Sequence, residues 1–185
     1  MHRGPDRIFD EYLVVMSQGG SRKALAVLVR RWSPRLQRYC ARLLRSQDLG
    51  EDVMQEVWIS ALHGLARLGD PARFPAWIYA IATRRCADAV RGRARSRRLS
   101  AGVSALHGID HPVDSHQSKP ERGLDLSAAI ERLPLDQRLT VSLHYAEDLS
   151  VEEVAAVLNV PPGTVKSRLH HARIALKQFL QGDPS

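Results

Sequence analysis

The sequence predicts an all-α protein, with two small helical domains joined by a flexible linker. Three observations lead there. Apolar residues recur at helical spacing through most of the chain, while strand-like alternation is scarce. Ala, Leu, Arg and Glu dominate, and aromatics make up only 5% of the 185 residues, a composition that favours helix. Between Leu99 and Gly123 the periodicity fades into Gly, Ser, Pro and His, a longer structureless stretch than one compact domain usually carries. The predicted divisions are 1–98, 99–123 and 124–185.

The elements follow in order. Asp6 to Ser17 predicts a short helix closed by Gly19 and Gly20. Ser21 to Arg45 predicts a longer one, with Leu25, Leu28, Val29, Trp32, Leu36, Tyr39, Cys40 and Leu43 on its apolar side and a kink or local break at Pro34. Gln47 to Leu65 is a third helix. Leu68 to Pro75, with Gly69 and Pro71, is a loop, and a fourth helix runs from about Pro75 to Arg98. Helices resume at Leu124 to Leu133 and at Asp136 to Ala146.

The last two elements are the most specific. Ser150 and Glu153 form a capping box that starts a helix, whose apolar side holds Val154, Ala155, Val157 and Leu158. Asn159 to Gly163 ends it, because Pro161 and Pro162 cannot continue a helix but suit the start of the next. In that next helix Val165, Leu169, Ala172 and Leu176 form a buried stripe at i, i+4, i+7 and i+11. Gly163, Ser167, His170 and Ile174 lie opposite, Thr164 and His171 sit at one edge of that face, and Lys166, Arg168 and Arg173 flank the stripe. Two short helices joined by a tight turn, the second basic, are the sequence form of a helix-turn-helix. Short polar side chains and His suit base edges, and flanking Lys and Arg suit phosphates. The bland alternative is a helical hairpin with a solvated basic face.

A formal net charge of +7 favours an acidic partner such as nucleic acid, although a membrane surface also fits. No apolar run approaches the ~20 residues needed to span a bilayer, and the N-terminus lacks a signal-peptide apolar core. A soluble cytoplasmic protein is expected. Cys40 and Cys86 fall inside helical patterns and read as small buried apolar residues in a reducing compartment, with a disulfide or redox switch as the alternative.

The third helix carries Asp48, Asp52, Gln55 and Glu56 on one side, with His63 further along. Val53, Met54, Val57, Trp58, Ala61, Leu62 and Leu65 make the opposite, buried face. The acids are either a solvated face offsetting nearby arginines or a docking surface for a basic protein. The fourth helix holds seven arginines and one acid, Asp88, between Arg84 and Arg98. Such density repels itself unless a polyanion is near. Phe74, Trp77, Ile78 and Tyr79 precede it, and aromatics beside a basic face can stack unpaired bases. Core packing is the alternative for Phe74 and Trp77.

At this point the order of parts is recognisable. DLGEDVMQEVWISALHGL followed by RFPAWIYAIATRRCADAVRGRAR resembles region 2 of bacterial sigma factors. LPLDQRLTVSLHYAEDLSVEEVAAVLNVPPGTVKSRLHHARIALKQFL resembles region 4. The chain therefore resembles an extracytoplasmic-function (ECF) sigma factor of the sigma-70 family. The resemblance implies that Asp48, Asp52, Gln55 and Glu56 bind the clamp helices of the polymerase β′ subunit. It implies that the loop from Leu68 to Phe74 and the following helix capture a flipped −10 base and open the duplex, with Arg73, Trp77, Arg84, Arg85 and Arg91 as candidates. Thr164, Lys166, Ser167, Arg168, His170, His171 and Arg173 would read the −35 element. The apolar side of Leu124 to Val141 would help hold the β flap, the linker would run through the RNA exit path, and an anti-sigma factor would cover the polymerase-binding faces. Asp148 stands where many relatives carry Gly and can still take a left-handed turn at modest cost. Arg84 stands where many carry Asn.

Two other classes compete. His107, His111 and His116 with Asp110 and Asp114 cluster in the linker, so a helix-turn-helix regulator responding to a metal or to redox state is one alternative, but the spacing fits no strong zinc motif. An enzyme has no support: no phosphate-binding Gly loop, nucleophile elbow or HExxH occurs. No cofactor and no metal are predicted.

Overall fold

The computed structural model describes residues 5–44, 46–104 and 126–181. Among these the architecture is helical throughout: α1 (Pro5–Gln18), α2 (Arg22–Leu44), α3 (Gln47–Leu65), a 3₁₀ turn at Pro71–Arg73, α4 (Phe74–Ser104), α5 (Leu126–Arg132), α6 (Leu135–Val141), a π turn at Ser142–Ala146, α7 (Val151–Leu158) and α8 (Pro162–Gln181).

Three elements depart from expectation. α2 continues through Pro34, whose ring faces solvent instead of wedging against a packed neighbour, so the expected break is absent. α4 continues six residues past Arg98, since no proline intervenes before Pro112. The helix expected from Asp136 to Ala146 splits into α6 and the π turn. There Glu147 N–H bonds the Ser142 carbonyl at 3.1 Å and Leu149 N–H the Leu143 carbonyl at 3.1 Å, while His144 Nδ1 lies 2.7 Å from the Leu149 carbonyl. These wider rings satisfy groups that a regular last turn would leave open.

α1 to α4 pack around an aromatic centre. Trp32 meets Phe74 edge-on with ring centroids 5.2 Å apart, and Tyr39 meets Tyr79 at 5.1 Å; such pairs add about 0.5–1.5 kcal/mol each beyond area burial. Asp10, buried beside them, accepts from Arg31 Nε at 2.7 Å, which compensates its lost hydration. The second block buries Leu143, Leu149, Val154, Val165, Leu169 and Ala172.

The two blocks share one continuous core, with α4 against α7. The polar seam between them is specific. Glu147, its side chain 6% exposed, accepts from Arg42 on α2 and from the Tyr79 hydroxyl on α4. Arg7 on α1 donates to Glu153 at 2.7 Å and to the Asp148 carbonyl at 2.8 Å. Partial burial pushes the Glu153 carboxyl up, but Arg7 and the Ser150 backbone N–H outweigh it and hold Glu153 below the ordinary glutamate range.

Candidate nucleic-acid and partner interfaces

The acidic face is built by α3. Ser46 caps the helix, its hydroxyl accepting from Leu49 N–H at 3.5 Å. Asp52, Gln55 and Glu56 are exposed together, while Val53, Met54, Val57, Ala61 and Leu65 are buried. Asp48 falls in the first turn, one helical repeat before Asp52. Leu62 departs from expectation, being 48% exposed. Trp58 is half-buried, with its indole N–H donating to Ser33 at 3.0 Å. Arg85 reaches across from α4: its guanidinium lies 3.8 Å from the Glu56 carboxylate and bonds the Ser60 hydroxyl at 2.8 Å. That arginine is therefore turned toward the acidic helix.

The loop before α4 is fixed by a residue that local sequence patterns do not reveal. The Gln18 side-chain amide donates to the carbonyls of Leu65 at 2.9 Å and Leu68 at 2.8 Å. Asp70 then caps the 3₁₀ turn by accepting from Ala72 N–H at 3.0 Å. The Asp-Pro pair at 70–71 is the legible signal here, an N-cap followed by Pro at the first helical position. Arg73 is exposed at the end of this turn, 3.7 Å from Asp70. Phe74 is fully buried, which settles it as core. Trp77 is half-buried, tilted against Phe74 at 5.9 Å. Arg84 is exposed, and the exposed Arg91 pairs with Asp88 at 2.5 Å.

Gly64 sets the seat of Trp77. A Cβ there would stand 2.9 Å from the Trp77 ring. Gly64→Ala gains about 1 kcal/mol of helix propensity but incurs overpacking of roughly 1–3 kcal/mol. A net loss of about 1 kcal/mol, with a shift in Trp77 fluorescence, is expected in chemical denaturation. A stabilised variant with an unmoved spectrum would show that the ring is not seated on that glycine.

The helix-turn-helix forms as its sequence dictates. The Ser150 hydroxyl accepts from Glu153 N–H at 3.2 Å and the Glu153 carboxylate accepts from Ser150 N–H at 2.7 Å. Asp148 takes the left-handed turn with φ 55°, and Asn159 ends α7 with φ 53°. On α8, Val165, Leu169 and Ala172 are buried, and Lys166, Ser167, His170, His171, Arg173 and Ile174 are exposed, with Thr164 half-buried at the start. The His170 and His171 rings meet at 5.7 Å. Arg168 is pinned away from the outer face, donating to Asp136 on α6 at 2.5 Å. Arg173 Nε bonds the Leu169 carbonyl at 3.3 Å.

A cavity of about 510 Å³ opens between the blocks. Leu43 lines it on the α2 side, and Leu126, Ile130, Val141 and Tyr145 on the other. Among the described residues no group of three or more His, Cys, Asp or Glu side chains converges as a metal site, and no helix is long and apolar enough to cross a membrane. The linker histidines lie outside the described residues.

Residues 28–96 match the Sigma-70 region 2 family and residues 123–176 match Sigma-70, region 4. The chain is 30% identical to the ECF RNA polymerase sigma factor SigW of Bacillus subtilis (strain 168) over 171 residues, 88% of this chain and 91% of that one. It is 30% identical to the ECF RNA polymerase sigma-E factor of Escherichia coli (strain K12) over 187 aligned residues, 95% of this chain and 96% of that one. Among solved structures, CnrH in complex with the cytosolic domain of CnrY superposes with a TM-score of 0.67 at 25% identity, covering 95% of this chain and 99% of CnrH.

Proposed function

The chain belongs to the extracytoplasmic-function sigma factors of the sigma-70 family, and from that premise we propose that it directs RNA polymerase to specific promoters by dividing three contacts among three helices. The α3 face of Asp48, Asp52, Gln55 and Glu56 docks on the basic surface of the β′ clamp helices. The loop before α4, with Arg73, Trp77, Arg84 and Arg91, captures and opens −10 DNA. Flipping a base costs a few kcal/mol of unstacking, which the half-buried indole and the arginine-dense helix offset. α8 reads the −35 element, and the apolar surface around Leu126 and Leu135 holds the β flap.

The observation that carries this reading is the combination on one chain of an exposed acidic helix face, an arginine-dense helix and a helix-turn-helix with an exposed polar face. The protein works in the cytoplasm, where core polymerase is, and has no catalytic activity of its own. Control falls to a protein partner of the anti-sigma class, and the similar structure of CnrH is itself a complex, with the cytosolic domain of CnrY. The cavity beside Leu43 and Tyr145 offers such a partner an apolar seat.

Run-off transcription with core polymerase and a genomic promoter library tests the whole. Promoter-dependent transcripts are expected on addition of the chain; their absence with demonstrably active core would sink the assignment. Within α8, exposed Lys166 is assigned to phosphate. Lys166→Ala should weaken binding to all −35 sequences alike and reduce the salt slope of log K by about 1. A slope equal to the parent's would remove Lys166 from the phosphate contacts.

A further inference from the structure

α1 ends on Gln18, and the ending is built to hold that residue in place. Gly20 takes the left-handed conformation with φ 91°. Ser21 N–H bonds the Met16 carbonyl at 3.0 Å and Gly20 N–H the Ser17 carbonyl at 3.0 Å, the paired hydrogen bonds of a Schellman cap. From this fixed end the half-buried Gln18 side chain reaches the turn that follows α3. A side-chain amide nitrogen carries two hydrogens. Here each has its own acceptor, the Leu65 carbonyl at 2.9 Å and the Leu68 carbonyl at 2.8 Å.

The two acceptors are the two ends of one turn. Leu68 N–H also bonds the Leu65 carbonyl at 3.1 Å, so Leu65 keeps a donor without Gln18. The Leu68 carbonyl has Gln18 as its donor, and Leu68 opens the loop that runs to Phe74. The far end of that loop is anchored separately, by Ala72 N–H donating to the Asp70 side chain at 3.0 Å and by the buried Phe74 ring. Between the anchors the loop is open: among the described residues, nothing lies within 4 Å of where a Gly69 Cβ would stand. The near anchor comes from α1, which also packs along the Pro71–Arg73 turn.

We propose that Gln18 is a positioning residue for −10 capture, fixing the start of the loop from α1 so that the pocket for the flipped base stands formed before DNA arrives. The role rests on the assignment of the loop before α4 to −10 capture. Gln18 itself touches no DNA; it acts through Leu68 and the backbone between Gly69 and Arg73. A binding loop ordered in advance loses less freedom when it closes on its ligand. Without the amide the Leu68 carbonyl turns to water, the near end loosens, and the pocket must re-form at each capture. The loss falls on the captured base. Phosphate contacts along α4 and −35 reading by α8 are made by other elements and keep their strength.

Core polymerase carrying the full chain tests this with single strands: the −10 strand selected from a promoter library, and the same strand with abasic sites placed one at a time. Gln18→Leu is similar in size and removes both donors. Gln18→Glu keeps the shape and offers acceptors alone. Each should bind the intact strand about tenfold more weakly than the parent, the scale of one lost hydrogen bond with its acceptor left unpaired. Each should match the parent on the strand lacking the captured base, on −35 duplex and in affinity for core. Circular dichroism checks folding, and should one variant fail to fold, the other decides. Parent-like binding of the intact strand by the folded variants would overturn the positioning role. Equal losses on the intact and abasic strands would overturn it too, because a merely destabilised helical block weakens both alike. A parent chain indifferent to every abasic site would instead remove the loop from −10 capture, and this role with it. Promoter-dependent run-off transcription is read independently of all these outcomes, so the sigma assignment stands or falls separately.

Discussion

Asp52→Arg combined with Glu56→Arg is expected to reduce affinity for core polymerase by roughly a thousandfold. Both carboxylates are exposed on α3, and a basic partner surface would meet two positive charges where it now meets two negative ones. Losing one close interfacial charge pair costs about 2–5 kcal/mol, so two reversals exceed the ~4 kcal/mol that a thousandfold requires. The pair is not symmetric. Glu56 stands 3.8 Å from Arg85, so Glu56→Arg also sets two cations together at the α3–α4 contact. Both groups are largely exposed and the pair is worth little in stability, but the repulsion could move α4. Asp52→Arg alone avoids that complication and should still lose at least tenfold. Binding is measured by competition for core, with circular dichroism and specific −35 DNA binding as checks on folding. Parent-like core affinity in the double variant would refute α3 as the docking face, whatever its effect on stability.

What the sequence made legible was local. The capping box at Ser150, the stripe on α8 and the acidic side of α3 each depend on residues a few positions apart. Spacing alone therefore placed them. Leu62 shows where spacing fails: it lies about 110° from the mean direction of the buried α3 residues at 100° per residue, at the margin where neighbouring elements decide the matter. Arg168 and Arg85 have the composition of nucleic-acid contacts, yet one is held by Asp136 and the other faces Ser60 and Glu56. Those partners sit on other helices. Gln18 against Leu65 and Leu68, and Arg7 against Glu153, join segments far apart in sequence, and no local pattern marks them. The π turn has no local signature, because it arises from Leu149 folding back on Leu143 within an otherwise helical pattern.

Glu147→Ala should open the molecule. The Glu147 carboxylate joins α2 and α4 to the turn that precedes α7, and its removal leaves the Tyr79 hydroxyl buried without an acceptor, which costs about 1–3 kcal/mol. Arg42 is half-exposed and regains water, so its loss adds little. A shift of about 2 kcal/mol moves the closed-to-open ratio roughly 30-fold. The opening bears on function through dimensions. A compact body of this length has a radius of gyration of about 16 Å, hence a diameter near 40 Å. DNA elements centred about 25 base pairs apart are separated by roughly 85 Å at 3.4 Å per step. On the division of contacts proposed above, the closed chain cannot touch both, so the α4–α7 seam would part before α8 and the −10 block act on one promoter. Glu147→Ala should accordingly raise the radius of gyration in small-angle scattering and speed association with core polymerase. Tyr79→Phe removes the orphaned donor, so the Tyr79→Phe/Glu147→Ala pair should recover part of the lost stability in a double-mutant cycle. Scattering identical to the parent, together with zero coupling in that cycle, would mean that apolar packing between α4 and α7 holds the blocks together without the carboxylate.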